Sequence, residues 1–231
     1  MINLWRAFIR RAPRGVIEIP PKRGRANGRT VVLVHGVLYY SGAMRLTLGE
    51  FLADHGYRVL VYDYHSSRSD IAGHAAELAD FLAGIDEPFA LVTHSMGGLM
   101  ARLALNLKPC RAASLLMITP PNYGSRRADF WMKAVPGGGR MVKSLGDLRY
   151  GSAGKAADLP PVPSGIPTGI LAAAEDAQVE IISAMGVPPS SVASDGYEFA
   201  VARGSHISVM RGRDGRRKIL RFLKSGKFFL S

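Results

Sequence analysis

A chain of 231 residues that is 47% hydrophobic and 21% charged has the composition of an ordinary globular protein and the length of a single α/β domain. No uninterrupted apolar stretch approaches the roughly 20 residues that span a bilayer, and the lone cysteine, Cys110, rules out an internal disulfide and a Cys/His metal cluster, so it reads as apolar filler after a helix. The net charge of +12 and pI near 10.2 suit an anionic partner, whether nucleic acid, an acidic membrane surface or an anionic substrate, but the basic residues cluster only near the two ends and in no nucleic-acid-binding motif.

In chain order, residues 1–28 read as a basic N-terminal extension ahead of a catalytic domain over 29–231. The first eleven residues interleave charge with apolar side chains and lack the apolar core and cleavage site of a secretory signal, which points to the cytoplasm. As a helix, this stretch sets Leu4, Trp5, Phe8, Ile9 and Ala12 apart from Arg6, Arg10 and Arg14, a pattern suited to peripheral contact with an anionic membrane.

Short apolar runs then alternate with helical patterns. Residues 31–34, 59–62, 89–92, 114–118, 169–172 and 199–201 read as buried strands. Residues 43–55, 69–84, 96–107, 177–185 and 207–223 carry apolar side chains at helical spacing. Such alternation predicts an α/β fold: a doubly wound, mostly parallel sheet flanked by helices, with ligands gathering at the carboxyl ends of the strands. Residues 122–165 break the rhythm with Gly137-Gly138-Gly139 and Pro160-Pro161-Val162-Pro163, and predict a small cap insertion with short helices at 126–135 and 139–148.

Within this pattern, Thr93-His94-Ser95-Met96-Gly97 follows a strand and opens a helix, the setting for a sharp turn that lifts a serine hydroxyl above the sheet. Thr93 stands where the usual motif has glycine, and a serine in this position also reads as a helix N-cap. Two strands earlier in the chain, Val34-His35-Gly36-Val37 ends a strand in His-Gly. There the Val37 N–H could face a developing oxyanion together with the Met96 N–H, while His35 itself reads as a packing residue.

A serine nucleophile needs a general base, and six histidines compete for that role. His94 is sequence-adjacent but expected to point away, His55 and His74 fall in predicted helices, and His65 follows an early strand. His206 lies after the last strand and before the last helix, where the order Ser, Asp/Glu, His places the base. The acid belongs after the penultimate strand, where Asp176 leads, with Glu175 and Asp195 as competitors and an N-cap role as the bland alternative. Asp63 reads as a turn residue.

Taken together, these motifs resemble the lipase/esterase branch of the α/β-hydrolase superfamily over about residues 30–228. The resemblance extends to Gly56-Tyr57-Arg58-Val59 with Asp63-Tyr64, to Thr119-Pro120-Pro121-Asn122-Tyr123-Gly124-Ser125 and to the closing Phe222-Leu223-Lys224-Ser225-Gly226-Lys227-Phe228. It implies a triad of Ser95, Asp176 and His206, an oxyanion hole of Val37 and Met96, and hydrolysis of a small-molecule acyl ester or lipid without metal or organic cofactor. Thr93 and the absence of a glycine beside Asp176 depart from the family pattern. Leu38, Tyr39, Tyr40, Met96, Tyr123, Phe130 and Trp131 are expected to line an acyl site. A thioesterase or acyltransferase with the same triad, a non-catalytic binding protein of this fold and a nucleic-acid-associated protein are the alternatives.

Overall fold

The computed structural model describes residues 15–134 and 142–229. Seven strands among them form one sheet: β1 (Gly15–Ile19), β2 (Thr30–Val34), β3 (Arg58–Asp63), β4 (Phe89–His94), β5 (Ala112–Ile118), β6 (Thr168–Ala173) and β7 (Glu198–Ala202), in the order β1-β3-β2-β4-β5-β6-β7. All neighbours run parallel except β1, which pairs antiparallel with β3. The six strands expected from the sequence are present in chain order as β2 to β7.

Strand β1 is the addition. Residues 15–19 lie in the stretch read as an extension, yet Gly15 pairs with Asp63 and Ile19 with Val59. Half-exposed and only five residues long, this edge strand has too few buried apolar residues to stand out from the basic segment around it. The amphipathic helix expected over residues 1–14 lies outside the described residues.

Because side chains alternate across each strand, the Val/Ile/Leu runs feed two cores at once. Val32, Val34, Leu91, Leu115 and Ile170 face one layer, formed by α2 (Ile71–Ala83) and α3 (Met96–Leu107). Val31, Leu33, Val92, Leu116 and Leu171 face the other, formed by α1 (residues 41–54) and the last helix, α7 (Arg213–Ser225). Helix α1 is composed of the consecutive segments Ser41–Met44, Arg45–Gly49 and Glu50–Asp54, the middle one wound as a wider π turn. No helix among the described residues is long and apolar enough to cross a membrane.

The connection after β5 carries α4 (Arg126–Ala134) and α5 (Ser144–Asp147), followed by short 3₁₀ turns at Gly151–Ala153 and Ala156–Asp158. The first matches the helix expected there. The second is shorter than expected, and residues 139–141 of the expected span lie outside the described residues. This insertion is tied down at defined points: Asp147 Oδ2 accepts the Ile71 N–H at the start of α2, and the Ser144 hydroxyl donates to the Ser66 carbonyl.

The largest tie is Arg102, fully buried on α3. Its guanidinium donates to the Leu159 and Ser191 carbonyls at 2.7 Å each, to Asn122 Oδ1 at 3.0 Å and to the Pro160 carbonyl at 3.3 Å. No carboxylate pairs with it among the described residues, and burial alone lowers its pKa to about 10. A buried cation of this kind is tolerable because its planar fork satisfies several carbonyls at once.

Candidate active site

Ser95 sits between β4 and α3 with φ 54° and ψ −127°. For a residue with a Cβ this conformation is strained by an order of 1–3 kcal/mol, and strain of this kind concentrates at functional positions. The backbone is held there by the Ser95 N–H donating to the Ile118 carbonyl and the Gly98 N–H donating to the Ser95 carbonyl, both at 2.9 Å. The Ser95 side chain makes no capping hydrogen bond to α3. The cap alternative therefore fails, and the hydroxyl is left for other work.

Such a tight turn needs small neighbours. A Cβ on Gly97 would stand 2.8 Å from the Val34 and His35 carbonyl oxygens, so α3 starts where only glycine fits against β2. A Cβ on Gly36 would stand 2.8 Å from Ser95 Cβ. The His-Gly turn after β2 thus lies directly against the serine. Thr93, in the place of the usual glycine, is fully buried with its hydroxyl directed at the Leu116 carbonyl at 3.4 Å.

After Gly36, Leu38 adopts φ 54° and its N–H donates to Ser66 Oγ at 2.9 Å. That contact pins the turn and leaves the Val37 N–H without a partner among the described residues; the Met96 N–H, first in α3, is likewise open. His35 is the packing residue expected: fully buried, stacked on Tyr64 with ring centroids 4.2 Å apart and donating from Nδ1 to the Gly36 carbonyl at 2.9 Å. Burial lowers its pKa to about 4, so the ring stays neutral.

His206, on the loop after β7, receives Asp176 at its side: Nδ1 to Oδ2 is 2.7 Å, and both side chains are more than nine-tenths buried. Asp176 does double duty. Its other oxygen, Oδ1, accepts the N–H groups of Gln178 at 2.8 Å and Val179 at 3.0 Å, which fixes the carboxylate plane. The N-cap-like role and the histidine contact therefore coexist on separate oxygens, and the helix expected over 177–185 is shortened to α6 (Ile181–Met185). Asp195 is engaged elsewhere, accepting the Gly165 N–H at 2.7 Å, and Glu175 is exposed.

His94 differs from the expectation that it points away. Its ring centroid lies 4.8 Å from that of His206 and 5.6 Å from that of Tyr39, and Nε2 donates to the His206 carbonyl at 3.0 Å. Complete burial, then the neighbouring His206, hold its pKa well below the ordinary histidine range, which fits the neutral, donor role. The strand that leads to Ser95 thus also anchors the loop that carries His206.

Ser95, His94, His206 and Val37 all line one cavity of about 250 Å³. Of the expected lining residues, Leu38, Tyr39 and Trp131 are there, joined by Arg127, Leu145, Leu148, Gln178 and Val179. Tyr123 is not. Its ring is set edge-on against Tyr150 at 5.2 Å and lies over Gly151, because the backbone at Tyr123 is hydrogen-bonded to Ser183 and Gly151. Met96 is buried in the core, and Tyr40 and Phe130 also fall outside the lining. Among the described residues no group of three or more His, Cys, Asp or Glu is placed to hold a metal ion.

A family model described as alpha/beta hydrolase family matches residues 31–215. No curated protein matches. Among solved structures the chain is similar to the mature form of Bacillus licheniformis lipase BlEst2, with 18% identity, TM-score 0.64 and coverage of 94% of this chain and 99% of that one. It is similar to Paleococcus ferrophilus monoacylglycerol lipase, with 16% identity, TM-score 0.65 and coverage of 93% and 100%. A third structure, the type II thioesterase YbtT from the yersiniabactin NRPS/PKS biosynthetic pathway, gives 18% identity, TM-score 0.65 and coverage of 91% and 98%. At these identities the likeness is one of fold, but the family model takes in most of the sequence, from β2 to the start of α7, and the chain belongs to the alpha/beta hydrolase family.

Proposed function

We propose that this hydrolase cleaves carboxylic esters through an acyl-Ser95 intermediate. The observation that carries the reading is the 2.7 Å contact of Asp176 Oδ2 with His206 Nδ1, where His206 lines the same cavity as Ser95, a serine held at positive φ with its hydroxyl free. With Nδ1 committed to Asp176, the lone pair of His206 is on Nε2, the nitrogen available to a substrate-bound Ser95.

In the first half-reaction the Ser95 Oγ proton passes to His206 Nε2 as Oγ bonds to the ester carbonyl carbon. The carbonyl oxygen takes the negative charge and is held by the open N–H groups of Val37 and Met96. The C–O bond to the alcohol then breaks, and His206 returns its proton to the leaving oxygen. In the second half-reaction water gives its proton to His206 as its oxygen attacks the acyl carbon; the bond to Ser95 Oγ then breaks, Oγ takes that proton from His206, and the carboxylic acid leaves. Asp176 stabilises the imidazolium in both halves. The chemistry asks nothing of a metal or organic cofactor, and a thioester would react through the same acyl-enzyme.

The test is turnover of p-nitrophenyl butyrate, with acetyl thioesters assayed in parallel. The reading expects saturable hydrolysis by the wild type and a fall in kcat of about 10⁶-fold, in effect to background, in Ser95→Ala, since serine and histidine act as a unit. Equal rates in the two proteins would dismiss Ser95 as the nucleophile.

A further inference from the structure

The charge inventory of the cavity is one-sided. Among the described residues no carboxylate lines it, and Arg127, on the first turn of α4, is the one permanently charged side chain that does. Two other arginines around the cap are neutralised locally: Arg126 pairs with Glu180 at 2.9 Å and Arg149 with Asp129 at 3.0 Å. Arg127 has no carboxylate partner and no hydrogen bond among the described residues. Its guanidinium instead lies over the rings of Phe130 and Trp131, at 5.4 and 5.7 Å from their centroids.

Packing on aromatic faces orients a guanidinium without neutralising it and leaves its N–H fork open to an anion. Trp131 itself lines the cavity, so this fork stands at the wall of the space that also holds Ser95. At about 250 Å³ the cavity lies below the usual range of ligand pockets, roughly 300–1,000 Å³. One small substrate would therefore reach both Ser95 and the Arg127 wall. A net charge of +12 adds a field that draws anions toward the molecule.

We propose that Arg127 is a specificity-determining residue and that the substrates are small acyl esters bearing an anionic group away from the scissile carbonyl, held by the Arg127 guanidinium while Ser95 attacks. This rests on the ester-hydrolase reading above and narrows it. Leu38, Leu145, Leu148 and Val179 give the cavity an apolar side that suits the carbon chain between the two ends.

The experiment compares two chain-matched esters, mono-p-nitrophenyl adipate with its free carboxylate and neutral p-nitrophenyl hexanoate, each corrected for its enzyme-free rate. For an exposed but aromatic-supported guanidinium, the wild type is expected to favour the adipate in kcat/KM by about tenfold, mainly through KM. Arg127→Met should bring that ratio to about one, and Arg127→Lys, which keeps the charge but not the fork, should restore part of it. Added salt should shrink the wild-type preference. Equal kcat/KM for both esters in the wild type, or a preference untouched by Arg127→Met, would overturn the proposal and leave ester hydrolysis standing. If the wild type cleaves neither ester, the ester-hydrolase reading fails and the proposal falls with it.

Discussion

Replacing Asp176 by asparagine is expected to lower kcat for ester hydrolysis by about 10⁴-fold while changing KM little, because the substitution traps His206 in the wrong tautomer. The geometry forces this outcome. Oδ1 of Asp176 accepts two backbone N–H groups, from Gln178 and Val179, so an amide at this position must place its oxygen there. The amide NH₂ then occupies the site of Oδ2, 2.7 Å from His206 Nδ1. Facing a donor, Nδ1 must accept, the ring proton moves to Nε2, and no lone pair remains to take the Ser95 proton. The exposed Glu175 and the Gly165-bound Asp195 serve as controls: Glu175→Gln and Asp195→Asn should leave kcat within about threefold of the wild type, as expected of surface substitutions. A loss in Asp195→Asn equal to that in Asp176→Asn would displace Asp176 as the acid.

The second large effect is on stability. Arg102→Met is expected to cost about 3 kcal/mol and to lower Tm by roughly 10 °C in thermal denaturation followed by circular dichroism. The methionine would fill much of the volume but leave unpaired the buried Asn122 side-chain oxygen, at about 1–3 kcal/mol, and the part-buried carbonyls of Leu159, Pro160 and Ser191, which cost less because water can reach them. Part of that is returned, because the desolvation that depresses the Arg102 pKa to about 10 disappears with the charge. Arg102→Lys should not rescue, since one ammonium on a flexible stem cannot match a planar fork that reaches three segments. A Tm shift below about 2 °C would mean the cap is anchored by something other than Arg102.

The fold was legible because its signals are local and redundant. Runs such as Val31-Val32-Leu33-Val34 are apolar on both faces, which only a strand covered by helices on both sides requires, and the structure divides them between two cores. Strand β1 is not legible in the sequence for the converse reason: at an edge, Val16-Ile17-Glu18-Ile19 needs little hydrophobicity and draws its stability from pairing with β3, a long-range contact that leaves little local trace.

At the site, residues tied to backbone architecture could be placed from sequence. Ser95 is fixed by its strand-to-helix turn, Gly36 and Gly97 by close backbone approach, and Asp176 and His206 by their position after successive strands. Residues that reach the site by side-chain trajectory could not. Sequence adjacency predicts that His94 turns away from the serine, but the sharp turn at Ser95 leaves it directed at the His206 loop. Its aromatic ring predicts Tyr123 in the cavity, yet the hydrogen bonds of its own backbone to Ser183 and Gly151 set the ring against Tyr150 instead. Ser66, which holds the Leu38 turn, and Arg127 gave no motif at all. Arg102 did leave a signal, a lone cation inside the apolar helix sequence Met96-Gly97-Gly98-Leu99-Met100-Ala101-Arg102, which marks a buried charge in need of partners.

The most direct measurement of the central claim is covalent labelling with a fluorophosphonate followed by peptide mass mapping of the intact protein. Attack by an activated serine should attach one phosphonyl group to Ser95, with labelling abolished in Ser95→Ala and strongly slowed in Asp176→Asn. A wild-type protein that remains unlabelled, or that carries the group on another residue, would contradict the assignment of Ser95 as the nucleophile.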